Sequence, residues 1–485
     1  MKDLNIFRRQ FLLTEYNNFD LAWGKTKILN YNLFYHPGLE YEHTSNDGVE
    51  LFLLGFLFDC ENQDYSNKQI LDLLSRTDSF ARFLEQLSGY SGHYVIIYKS
   101  EEKFILLNDA CAQHEIYYDT TFSSFATQPK LLSKVIHPIP HDSVDAIEFY
   151  SSDAFLSSKL FIGETTNNAN ILHLIPNHYI DITLKTVKRF FPDKPIDPLP
   201  MMEATKKICE MLRGYIRAAS LRYNLIMGVT GGYDSRVLFL ASLGVDCKYY
   251  VTKLPDMSDN HCDITVPQEL TRIFGKELKI IPSKFGLDSD ATQIQESSID
   301  FPRTLDLSEE DFAGRILLNG NISEIARNRY GYFKKLSPEE LTFLVGYSEN
   351  KFVIKEYAKW IERSSDWFSK MKYNILDMFY WEDRMGIWAA KTKTEMSAQG
   401  YIVYSPFCSH KLLTTLLSTP RRHRDFVHNR LYYQMFKEFS PKAARIPVNP
   451  SRSNKIKRLL NILKIYNLYR IIGLKYRFIP PIQRP

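Results

Sequence analysis

Between positions 228 and 236 the chain reads GVTGGYDSR: two adjacent glycines, then a tyrosine, an aspartate and a serine. An apolar run precedes this stretch and another, VLFLASLG, follows it. The first reads as a parallel strand ending at Val229, the second as a helix beginning near Ser235. Gly231 and Gly232 permit a sharp reversal between them. Backbone N–H groups of the loop and of the first helical turn would then converge on one point. The positive end of the helix dipole suits that point to an anion. Thr230 and Ser235 can add hydroxyl donors. Asp234 would repel a bound phosphate unless a magnesium ion bridged them. The alternative is a glycine turn with an aspartate N-cap and no ligand. Arg236 reads either as a contact to phosphate or an acidic substrate, or as a solvent-facing residue of the first turn.

The spacing is neither GxxxxGK[ST] nor GxGxxG. Around the loop, apolar strands alternate with helices: the amphipathic MEATKKICEMLRGYIRAASLR, then NLIMGV, a helix from Ser235, CKYYVT, a helix near 264–274, ELKIIP and ILLNG. That alternation predicts a parallel sheet. Residues 337–437 read as mainly helical. The first 195 or so residues read instead as short strands with few helices. Ser66 is a plausible N-cap there, and a hairpin turns at 99–103. ILHLIPNHYIDITLKTVKRFFP reads as two more strands, and FPDKPIDPLP (191–200) as a linker.

At 485 residues the chain is too long for one compact core, so two domains are expected, or three. Its 44% apolar and 24% charged residues are ordinary for a soluble globular protein. The net charge is +5, but residues 451–485 hold nine Lys or Arg and no Asp or Glu, leaving −4 (5 minus 9) for the rest. The basicity belongs to a tail and does not argue for nucleic-acid binding. The tail has apolar residues at helical spacing between its basic ones, which suits either a helix on an anionic inner-leaflet surface or a docked C-terminal helix. Six cysteines without a CxxC pair predict reduced thiols in a cytoplasmic protein. The first 20 residues lack an apolar h-region, so no signal peptide is expected. No 18-residue apolar stretch predicts a transmembrane helix.

TGGYDS (230–235) resembles the pyrophosphate loop SGGxDS of N-type ATP pyrophosphatases, with Thr for the first Ser. LNGNISEIARNRY (318–330) resembles the SGEGxDELFGGY segment of asparagine synthetases. Gly320, Glu324 and Tyr330 fall at its Gly, Asp and final Tyr; Asn321 stands at its Glu, and Arg327, Asn328 and Arg329 replace Phe-Gly-Gly. WEDRMG (381–386) resembles the DRM segment of that family, and YSPFCS (404–409) its RvPFLD segment without the Arg. LSGYSGHYVIIYKSEEKFILLNDACAQHEIYY, SFATQPKLL and ILHLIPNHYID resemble three landmarks of the class II glutamine amidotransferase domain that precedes such cores. The resemblance spans residues 45–445. It implies an α/β and α+β protein of two domains. Residues 1–197 would form an amidotransferase-like β-sandwich. Residues 198–450 would form a parallel-sheet ATP pyrophosphatase domain with a helical C-terminal part, followed by the basic tail 451–485.

The resemblance further implies an AMP-forming amide ligase. ATP would lie on Gly228, Thr230, Gly231, Gly232, Asp234, Ser235, Arg236 and Gly320, with Mg2+ on Asp234 and Glu324. A small-molecule, sugar or peptide carboxylate would be adenylated, and an amine would displace AMP. That step needs a donor for the oxyanion and a base for the amine proton. Tyr330 with Glu382 match the Tyr–Glu pair of the β-lactam synthetase-like branch; the alternative pairs Glu382 with Arg384 on a solvated surface. Ile446 and Pro447 stand where the family places a lysine, leaving Lys455 or Lys457 as substitutes. Lys2 stands where active class II glutaminases carry a cysteine, which implies that the amine does not come from glutamine. Arg421, Arg422, His423 and Arg424 read as a solvated face or, alternatively, an acidic-sugar or phosphate site. The competing reading is a catalytically inactive homologue that binds nucleotide or regulates. A sulfur-transfer reaction is disfavoured by the lack of paired cysteines.

Overall fold

The computed structural model describes residues 7–17, 19, 21–255, 257–282, 312, 314–331, 333, 336–450, 452–463 and 465–476. Lys2 lies outside the described residues.

The first half forms two six-stranded antiparallel sheets. In one, Phe11–Thr14 is central, between Ser124–Ala126 and Tyr31–Tyr35. In the other, Val49–Phe58 pairs with Tyr41–Asn46 and Ser91–Lys99. Val49–Phe58 is apolar on both faces because both are covered. Phe52 and Leu54 pack against Phe11, Leu13 and Phe125 of the first sheet. Leu51, Leu53 and Leu57 pack under the helices Asn67–Ser75 and Phe80–Leu87 through Ile70, Leu71 and Phe83. Ser66 caps the first of these helices in a full capping box. The expected hairpin pairs Ser91–Lys99 with Phe104–Asn108. Residues 171–189 hold three strands rather than two: Ile171–His173, His178–Asp181 and Thr186–Arg189, the last pair turning through Lys185 at φ 53°.

The second half carries a five-stranded parallel sheet in the order Lys279–Pro282, Cys247–Lys253, Asn224–Gly228, Arg315–Leu318, Ile402–Tyr404. Helices Asp234–Ala241 and Cys262–Ile273 make the first two crossovers. The chain then returns to the other side of Asn224–Gly228, so strand order reverses beside the central strand. From Pro338 to Phe439 helices dominate, including a π-helical turn at Tyr380–Ala389.

Apolar burial does not divide at 197/198. One cluster joins Leu12, Tyr117, Phe161 and Ile175 to Tyr215, Leu225, Trp381 and Leu412. The Pro-rich segment is not a free linker. Ile196 N–H donates to Met371 O (2.9 Å), Leu199 N–H to Ser418 O (3.1 Å) and the Trp367 indole to Pro192 O (3.0 Å). Among the described residues no helix is long and apolar enough to cross a membrane. The tail forms helices Arg452–Ile462 and Ile465–Tyr476. Leu474 is buried, whereas Ile456, Leu459, Ile462, Leu463, Leu468 and Ile472 are exposed.

Candidate nucleotide-binding site

The central strand and its neighbour run in register, Met227 opposite Leu318. Their following loops therefore leave the sheet side by side, at the carboxyl ends of strands where the order reverses. In open α/β sheets that crevice is the usual ligand site. Thr230 is exposed, and Gly232, Asp234, Ser235, Asn321 and Glu324 are half-buried, so the crevice opens to solvent. The helix starts at Asp234 with Tyr233 as N-cap and no side-chain cap. Asp234 is therefore not the cap, and the first-turn N–H groups lack an internal side-chain acceptor.

Gly228, Gly231 and Gly320 serve close packing rather than a left-handed backbone. Neither Gly231 nor Gly232 has positive φ. A Cβ on Gly231 would lie 3.1 Å from Asp263 Oδ1 and Cys262 O, and one on Gly320 3.1 Å from the backbone of Asp234. On Gly228 it would press on the Tyr250 ring at 3.2 Å. Thr230 Oγ1 and Ser235 Oγ lie 2.9 Å apart, and Ser235 Oγ also accepts from Thr230 N–H at 3.0 Å. The Gly231 N–H donates to Asp263 Oδ1 at 2.9 Å, and Gly231 O accepts from Asn449 N–H at 2.9 Å. An incoming anion would compete with Asp263 for that N–H. Asp263 and Asn449 carry no local pattern that marks them and reach the loop only through the fold.

Asp234 and Glu324 converge as expected, but around an arginine. Asp234 accepts from Ser323 Oγ (2.5 Å) and Arg327 Nη1 (2.8 Å). The same Nη1 donates to Glu324 Oε1 at 3.2 Å, and Arg329 Nη1 lies 3.9 Å from Glu324 Oε2. The Tyr380 hydroxyl donates to Glu324. The Arg327 guanidinium stacks 5.3 Å from the Tyr233 ring centre and 5.0 Å from that of Phe426. Burial pushes the Asp234 carboxyl up, and Glu324 adds to the rise while Arg327 opposes it. Burial would also raise Glu324, but Arg327 and Arg329 outweigh it and hold the carboxyl below its ordinary value. Burial would lower Arg327, yet the two carboxylates keep it firmly protonated.

This geometry corrects the reading of Asp234 and Glu324 as a magnesium pair. A divalent ion between them would take the place of the guanidinium and meet a like charge. At 4 Å and an effective dielectric near 20, each unit pair of like charges costs about 4 kcal/mol. As arranged, these residues do not fit the ion. The departure of Arg327 and Arg329 from the resembled segment was the signal in the sequence.

No family model and no curated protein matches the chain. Solved structures similar to it include a glutamine phosphoribosylpyrophosphate amidotransferase from B. subtilis complexed with ADP and GMP. That match has 12% identity, covers 67% of this chain and 72% of that one, and has a TM-score of 0.23. An NMN synthetase from Francisella tularensis matches at 13% identity over 47% of this chain and 97% of its own, TM-score 0.19. A glutamine-dependent NAD+ synthetase from Acinetobacter baumannii in complex with ADP matches at 14% over 60% and 72%, TM-score 0.20. Similarities of this size say nothing about the activity of this chain, which must be argued from its own residues.

Three further expectations are corrected. Arg236 is fully buried, and its guanidinium donates to Ile446 O (2.6 Å) and Pro447 O (2.7 Å). It fastens the 446–447 segment to the first helical turn and faces neither solvent nor the crevice. Glu382 is 1% exposed and holds Arg189 in a two-pronged ion pair, with Asn177 Nδ2 (3.0 Å) and Trp360 Nε1 (2.9 Å) as further donors. Tyr330 is not among its partners and packs edge-on against Tyr380, ring centres 5.7 Å apart. Glu382 thus bridges the two halves, and Tyr380 rather than Tyr330 pairs with a crevice carboxylate, Glu324. Arg424 is buried against Asp377 (2.7 Å), and Arg421 donates to Asn328 Oδ1 (2.5 Å) and to carbonyls of Gly331 and Phe333, so neither belongs to a solvated face. Lys455 and Lys457 are exposed on the tail helix. A cavity of about 750 Å³ lies between the halves, lined by Phe190, Lys194, His410 and Lys411 among others, and shares no residue with the crevice.

Proposed function

We propose that the chain is an asparagine synthetase-like, AMP-forming amide ligase. ATP binds with its phosphates on the 230–235 loop. A carboxylate oxygen of the substrate attacks the α-phosphorus, and the bond to pyrophosphate breaks. An amine nitrogen then attacks the acyl carbon, the bond to AMP breaks, and the amine loses a proton. The carrying observation is the loop itself: it leaves the central parallel strand where strand order reverses and opens a helix with no side-chain cap. Thr230 and Ser235 add hydroxyls, and Arg327 and Arg329 offset the charge of Asp234 and Glu324 on the far wall. The carboxylate substrate is an aspartate-like amino acid, a uronic-acid sugar or a peptide.

A specific observation favours a second reading, a nucleotide-binding homologue without turnover: Asp263 occupies the Gly231 N–H, and Arg327 locks both crevice carboxylates. One experiment divides the two. The protein is incubated with ATP, Mg2+ and candidate carboxylates, and pyrophosphate release and ATP binding are measured. Release establishes the ligase, and binding without release selects the second reading. Neither binding nor release overturns both.

We also propose that the tail lies on an anionic membrane surface. Its exposed apolar residues stand among nine basic residues, with no acid between 451 and 485.

A further inference from the structure

The crevice has the two carboxylates that a bridging divalent ion would use, but it supplies its own cation. Arg327 is 8% exposed, and one of its terminal nitrogens contacts both Asp234 (2.8 Å) and Glu324 (3.2 Å). It lies over both the Tyr233 and Phe426 rings, and Tyr233 belongs to the loop that would carry the phosphates. The carboxylates are in turn fixed by Ser323 and Tyr380, and Ser323 by Tyr432, whose hydroxyl donates to its carbonyl at 2.8 Å. An arginine so clamped cannot leave without stranding two half-buried acids beside an anion site. Its planar fork, always charged, is also suited to phosphate oxygens.

We infer that Arg327 stands in for the divalent cation of this crevice, so that nucleotide phosphates bind here against a built-in guanidinium and without a metal ion. This rests on the proposed use of the 230–235 loop for phosphates. Arg327 neutralises Asp234, which would otherwise repel the ligand, and Arg329 does the same for Glu324. The ligand class is a nucleoside di- or triphosphate taken as the metal-free anion.

The test has two arms on the full chain. In the first, Mn2+ binding is followed by electron paramagnetic resonance without nucleotide. The wild type is expected to leave Mn2+ free. Arg327→Gln is expected to gain a Mn2+ site, lost again when Asp234→Asn is added. Mn2+ bound by the wild type and released in Asp234→Asn overturns the inference, as does an Arg327→Gln variant that melts cooperatively yet gains no site. Arg327→Lys, which keeps the charge and is expected to stay metal-free, provides a second variant if Arg327→Gln does not fold; a Mn2+ site in folded Arg327→Lys overturns the inference. In the second arm, binding of a fluorescent ATP analogue is titrated with and without excess EDTA. The wild-type Kd is expected to change less than about twofold, and Arg327→Gln to lose about tenfold and recover with Mn2+. A wild-type affinity that collapses in EDTA overturns the inference. A wild type that binds no nucleotide at all overturns the functional reading instead, and the first arm still decides the role of Arg327.

Discussion

At the scale of single residues, the crevice is governed by which groups already hold one another. Asp263 sits on a loop N–H that a phosphate would need. Asp263→Ala is expected to tighten ATP binding several-fold by removing both a competitor and a negative charge; weaker binding in an equilibrium titration would show that Asp263 instead organises the loop. Arg236 carries structure rather than chemistry. Arg236→Met deletes two charge-assisted bonds to carbonyls and is expected to lower stability by about 2 kcal/mol in urea unfolding. An unchanged midpoint would refute that role. At this scale the sequence singled out the loop, Gly320 and the acidic pair, which the fold brings together. It could not locate Asp263, because a contact across 32 positions leaves no local pattern. It also misassigned Glu382, because the buried partner Arg189 lies 193 residues away.

At the scale of elements, the strand–loop–helix unit and the 315–327 segment were both legible. Their alternation of apolar strand and amphipathic helix is local information. Their adjacency was not, since it depends on the chain returning across the sheet. The tail helices are expected to act as a unit. The protein should float with vesicles rich in phosphatidylserine, and neither with neutral vesicles nor after removal of residues 451–485. Equal recovery with neutral vesicles would show that burial of apolar surface alone suffices, and no flotation would discard the membrane reading.

At the scale of the whole molecule, the two halves share buried charge, which couples stability to pH. Glu115, in the first half, and Glu395, in the second, are both pushed up to about 7, burial being the main cause. Unfolded, each titrates near 4.5, so between those values the folded chain holds more protons than the unfolded one. Their contribution is complete below the unfolded value and is lost as pH rises through 7. Glu115→Gln is expected to flatten the fall in stability across that window in urea unfolding at stepped pH; an unaltered slope would remove Glu115 from this account. Lys393, buried with no hydrogen-bond partner, is lowered to about 7 by burial and acts in the opposite sense. Stability from this group rises between about 7 and its unfolded value near 10.4. Glu382→Ala would strand Arg189 at the seam and is expected to cost about 3 kcal/mol or more, read as an earlier urea midpoint without loss of ATP binding.

Taken alone, the sequence determined the periodicities, and with them short strands in the first half, a parallel sheet in the second, and a glycine turn between strand and helix at 228–236. Those features depend on residues within a few positions of one another. The tertiary structure decided which charge each carboxylate meets, because for a buried or half-buried charge the nearest partner dominates and that partner is set by chain crossings. It therefore placed Arg327 between Asp234 and Glu324, gave Glu382 to Arg189 rather than Tyr330, and ran one apolar core through both halves.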